Sequence, residues 1–107
     1  MIEGPLVAKK VHPDPPGYRV LFDDGTGPIE IGSISEHVRH VEPRDTYWHW
    51  GVDTMPLARG APSGDAWSFE AAREAFREGF FRWVNELHPG DWQRNRDHIR
   101  IRSQPRQ

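Results

Sequence analysis

The sequence predicts an α+β fold: a three-stranded antiparallel sheet with one long C-terminal helix packed on one face, and flexible arms at both ends. Three observations predict it. Trp48-His49-Trp50 reads as a strand, and side chains at i and i+2 of a strand share a face. The residues Phe69, Ala72, Phe76, Phe80, Trp83, Val84 and Leu87 recur at helical spacing, so they form one apolar stripe. Asp23-Asp24-Gly25-Thr26-Gly27 separates two alternating runs, and Asp-Gly is the strongest short hairpin signal because glycine takes positive φ at little cost.

The elements follow in chain order. Residues 1–17 hold Pro5, Pro13, Pro15 and Pro16, and read as an extended arm in which Leu6 to Val11 adds at most a short edge strand. The single α+β domain runs from 18 to 90. Its first strand is Tyr18 to Phe22, with Tyr18, Val20 and Phe22 on one face. After the hairpin, Pro28 opens a second strand, Ile29 to about Val38. Ile29 and Ile31 share a face, yet Ile34 and Val38 fall on the other, so a β-bulge or bend is expected near Gly32-Ser33.

Residues 41–45 are a connector, and Thr46 to Asp53 is the third strand. Trp48 and Trp50 are expected under the helix against Phe76, Phe80 and Trp83, which leaves Tyr47 and His49 facing outward. Met55 to Asp65 reads as a loop rich in proline and glycine. Ser68 suits a helix N-cap, and Glu70 suits the positive end of the helix dipole. Glu74 with Arg77 and Glu78 with Arg82 are placed to pair on the solvent side. Gly79 weakens the helix by about 1 kcal/mol relative to Ala, so close approach to the sheet is the expected reason for it. Pro89-Gly90 ends the helix, and residues 91–107 read as a basic, mostly disordered tail.

Composition restricts the function classes. A chain of 107 residues is one domain. With no Cys, a disulfide framework and a thiolate metal site are both excluded. The N-terminal segment lacks the charged and apolar regions of a signal peptide, and no window is apolar enough to span a membrane, so a cytoplasmic protein without membrane partners is expected. The net charge of −2 divides between a mildly acidic body and a tail carrying Arg94, Arg96, Arg100, Arg102 and Arg106. A dedicated nucleic-acid binder usually carries a whole basic face instead, so nucleic acid is disfavoured as a partner.

Candidate sites are few. Of the six histidines only His37 and His40 are close in sequence, and at i+3 on a strand they point to opposite faces. No metal ligand set and no cofactor is expected. The Asp23–Gly27 loop lacks the alternating ligands of a calcium loop. The scattered hydroxyls have no nucleophile-elbow context, so no catalytic residue and no enzymatic activity is expected. Tyr47 and His49 on the outward sheet face, and Phe81 outside the helix stripe, are the candidate binding residues.

The segment Tyr47 to Val52, then Gly60-Ala61-Pro62, then Ser68 to Ala72 and the Phe76 to Trp83 helix resembles a group of short uncharacterised proteobacterial proteins. These share a Trp-x-Trp strand followed by a Ser/Thr-capped amphipathic helix. The resemblance covers roughly residues 18–87 and implies the fold, but no site residues. The order strand-strand-strand-helix is also similar to the three-stranded DNA-binding domain of plant ethylene-response factors and integrase arm-binding domains. Those read the major groove with basic residues, where this chain offers Tyr47, His49, Gly51 and Asp53. The leading expectation is a non-enzymatic interaction or accessory protein with an unknown protein partner or a second copy of itself. Its surface would be Tyr47, His49, the 55–65 loop and Phe81. The alternative is nucleic-acid binding through the sheet face and the Arg-rich tail.

Overall fold

The computed structural model describes residues 2–39, 45–53 and 60–103. Within them the class is α+β with an antiparallel sheet, as expected, but the sheet has five strands and two helices accompany it. The strands are β1 (Leu6–Pro13), β2 (Pro16–Asp23), β3 (Pro28–Val38), β4 (Thr46–Val52) and β5 (Ser63–Ala66). The helices are α1 (Phe69–Glu86) and α2 (Pro89–Ser103). The sheet is a meander in the order β1-β2-β3-β4-β5, every neighbouring pair antiparallel.

The flexible arms are corrected on both sides. Residues 6–13 are a full edge strand, with Leu6 opposite Phe22 and Lys9 opposite Arg19. The prolines do not prevent this, because Pro13 and Pro16 pair at the ends of β1 and β2 and only Asp14 and Pro15 lie in the turn. A proline at a strand end removes no interior ladder bond. Residues 91–103 of the tail are helical because Trp92, Asn95 and Ile99, spaced for one helical face, are all buried. The expected 55–65 loop is corrected in part. Residues 54–59 lie outside the described residues, as do 40–44, but Ser63 to Ala66 pair with β4 as a fifth strand.

The slip in β3 is a bulge one residue earlier than expected. Val20 faces Gly32 and Leu21 faces Glu30, so Ile31 is the extra residue. The bulge returns Ile34 to the face that already holds Ile29 and Ile31, and all three are buried.

α1 lies chiefly against β3, β4 and β5. Ser68 caps it, its hydroxyl accepting from the Ala71 N–H at 3.1 Å. Its stripe meets the sheet through Phe76 against Trp50, ring centroids 6.0 Å apart, and through Phe80 against Phe22 at 5.0 Å. Trp48 is only half-buried and packs at the start of the helix, 5.3 Å from Phe69. A Cβ at Gly79 would lie 3.0 Å from the Trp50 ring, so the helix does approach the sheet closely there. The ion pair on α1 is Arg73 with Glu70, at 3.7 Å, rather than the pairs expected at Glu74 and Glu78.

Helix α2 closes the other end of the core. Trp92 sits edge-on to Phe22 and Phe80 at 5.9 and 6.0 Å. Its polar side grips the β2–β3 hairpin. Arg96 reaches the Asp24 carboxylate at 2.8 Å, and Arg100 donates to the Thr26 hydroxyl at 2.6 Å and to the Gly27 carbonyl at 3.0 Å. Among the described residues no helix is long and apolar enough to cross a membrane.

Candidate functional site

A sheet of five strands is wider than one helix. With strands about 4.8 Å apart and a helix about 10 Å across, α1 over β3 to β5 leaves β1 and the neighbouring flank of β2 at Tyr18 only partly covered. The apolar side chains of that flank, Leu6 and Ala8 on β1 and Tyr18 and Val20 on β2, therefore line an open cleft of about 620 Å3. Ile34, Phe69 and Phe76 form its inner wall. Tyr18 stands against Phe69 with ring centroids 4.5 Å apart, which fixes the cleft's aromatic end. The exposed side chains of Arg73, Glu74 and Arg77 on α1 form the rim. At this size and lining the cleft has the character of a ligand or side-chain pocket.

Sequence reading missed this cleft. The signal was present in the alternation of Leu6 with Ala8, but it acquires meaning only once β1 belongs to the sheet. The width mismatch between one helix and five strands is invisible while only three strands are counted.

The outward face of the sheet carries the residues the sequence singled out, together with several it did not. Tyr47 is half-buried and His49 exposed, both pointing away from the helices as expected. Tyr47 stacks on His37, with centroids 5.4 Å apart, and His37 meets His49 edge-on at 6.1 Å. His49 Nδ1 lies 2.9 Å from Asp65 Oδ1, a contact created by β5. Ser35 Oγ lies 3.0 Å from His37 Nε2. A hydroxyl, two imidazoles and a carboxylate thus gather on one face. They do not form a relay, because a Ser-His-Asp relay needs one imidazole between carboxylate and hydroxyl. Here Asp65 holds one histidine and Ser35 contacts the other. His40 lies outside the described residues; among those described, no group of three potential ligands could hold a metal ion.

Phe81, outside the helix stripe, is partly covered by the fold. It is half-buried, 5.7 Å from Phe22 and 5.3 Å from Phe80, and the Arg77 guanidinium lies over its ring at 5.7 Å. The N-terminal segment runs beside it, held by Asn85. The Ile2 N–H donates to Asn85 Oδ1 at 2.6 Å, and Asn85 Nδ2 donates back to the Ile2 carbonyl at 3.1 Å.

Among the described residues the Asp24 carboxylate is the one strongly perturbed acid. Burial alone would raise its pKa, but hydrogen bonds from Thr26, Arg96 and Trp92 outweigh burial and hold it well below the usual carboxylate range. Its partners are all within the fold, so it closes the α2–hairpin junction. The same junction occupies Arg96, through Asp24, and Arg100, through Thr26 and Gly27, two of the tail's arginines.

No family model, no curated protein and no solved structure matches this chain.

Proposed function

We propose that this protein is a non-enzymatic interaction domain whose receiving surface is the cleft between β1, β2 and α1. One observation carries the reading. Elsewhere the aromatic core is closed, with Phe22 and Phe80 at 0% exposure, yet on this flank the half-buried Leu6, Ala8, Tyr18 and Phe69, from both layers, face an open space. Leaving apolar area in water is unfavourable by roughly 25 cal/mol per Å2, so an apolar group that enters the cleft gains what the fold itself does not. Tyr47 and His49 on the opposite face are secondary contact candidates.

The test is a neutral apolar probe, 1-aminoanthracene, titrated into the protein and followed by amide chemical shifts. The expected shifts centre on Ala8, Tyr18, Ile34 and Phe69, and Ala8→Trp, which fills the space, abolishes them. Shifts scattered over the surface, or centred on the Phe81 side of α1, count against the reading.

A further inference from the structure

Among the described residues the strand order places β1 at an edge of the sheet, so one row of its amide groups has no partner strand there. The pairing phase shows which row. The Asp23 N–H donates to the Pro5 carbonyl at 3.3 Å, and in an antiparallel ladder every second pair exchanges such bonds. In this register Val7 and Lys9 point their amides inward to Leu21 and Arg19. Leu6, Ala8 and Lys10 therefore turn theirs outward. Leu6 and Ala8 also line the cleft, on either side of Val7. The free hydrogen-bonding groups and the apolar pocket thus belong to the same residues. A strand laid along this edge pairs its backbone with Leu6, Ala8 and Lys10, and sends alternate side chains toward the cleft.

Charge selects the occupant. Lys9 and Lys10 stand on the edge strand, and Arg73 and Arg77, one helical turn apart, stand on the rim with Glu74 as the opposing charge. Arg73 remains 64% exposed despite its 3.7 Å contact with Glu70. A second copy of the chain is the poorer occupant, because β1 itself carries no acidic residue to set against Lys9 and Lys10. The lysines that oppose self-pairing favour an acidic strand.

We propose that the β1 edge and the cleft beneath α1 take an extended acidic and apolar segment of a partner protein as a sixth strand. This rests on the cleft reading above and names the chemistry of its occupant. The probe is a capped heptapeptide with a valine-threonine-valine centre and two glutamates at each end, titrated into the full chain. Binding should shift the amides of Leu6, Ala8 and Lys10. Replacing the glutamates with lysines should weaken it about tenfold, as expected from reversing two exposed ion pairs. The exposed double variant R73E/R77E should reverse that preference. N-methylation of one alternating set of peptide amides should abolish binding, while methylation of the other set leaves it intact.

Equal affinity for the lysine peptide, indifference to both methylated forms, or a dimer with protected β1 amides overturns the proposal. So does failure of every peptide to bind. If 1-aminoanthracene still enters the cleft in that case, the cleft reading stands and only the strand-addition inference falls; if neither enters, both fall.

Discussion

Two buried positions show how single residues constrain this fold. Gly32 lies where the Phe76 ring presses on the sheet. A Cβ there would collide with the Gly51 carbonyl oxygen and fall 2.8 Å from the ring, and a backbone oxygen, unlike the end of a flexible side chain, does not shift cheaply. Gly32→Ala should therefore destabilise by about 1–3 kcal/mol, the range for overpacking a closed core. Urea unfolding reads this, and an unchanged midpoint would mean the ring does not seat on the bulge. Asn95 is the opposite case. It is fully buried, and among the described residues neither its amide nitrogen nor its oxygen has a hydrogen-bond partner. An unsatisfied buried polar group costs about 1–3 kcal/mol, and Leu keeps the branched shape without the polar atoms. Asn95→Leu should raise the melting temperature; a lower one would show that the amide is satisfied in solution.

At the scale of elements, α2 and the β2–β3 hairpin hold each other through Asp24. Because the folded pKa of Asp24 is depressed, its contribution is complete above the ordinary value of 3.8 and is lost as the pH falls below it. At pH 7, Asp24→Asn should cost about 3 kcal/mol, since it leaves Arg96, only 16% exposed, without its carboxylate. Between pH 7 and pH 3 the gap between the two proteins should narrow by about 1 kcal/mol, because the unfolded Asp24 becomes protonated while the folded one does not. Urea unfolding of both proteins at the two pH values measures this, with the other carboxylates cancelling in the difference. A constant gap would show that Asp24 titrates normally.

Elements that carry a periodic pattern were legible from the sequence. The Trp48/Trp50 alternation and the α1 stripe specify each other, and the Asp-Gly hairpin needs no tertiary information. α2 was not legible because its buried face contains Asn95 between Trp92 and Ile99, which breaks the apolar period. β5 was not legible because Ser63-Gly64-Asp65-Ala66 has no β-branched or aromatic residue; β4 makes it a strand by pairing with it. Of the candidate site, Tyr47 and His49 followed from alternation alone. The cleft is a relation between β1 and α1, sixty residues apart, and no local pattern encodes it.

Across the whole molecule, coverage by the helices is uneven, and stability should be uneven with it. β3 and β4 lie in the middle of the sheet with α1 above them, and the buried Trp50, Phe76 and Phe80 hold the layers together. β1 has one neighbour strand, a half-open cleft on its inner face, and Val7 55% exposed on its outer face. Few apolar contacts resist its separation, so it should open without the rest of the sheet. Native-state hydrogen exchange should show Val7 and Lys9, whose amides pair with β2, exchanging at least tenfold faster than the paired amides of β3 and β4. Their exchange should respond weakly to added urea, because little surface is exposed when an edge strand opens. Equal protection across β1, β3 and β4 would mean that β1 opens only when the whole domain unfolds. An opening edge strand also bears on partner binding, since whatever pairs with β1 must hold it in place. The acidic heptapeptide should then slow exchange at Val7 and Lys9 on the far side of the strand, where it makes no contact, while leaving β4 unchanged.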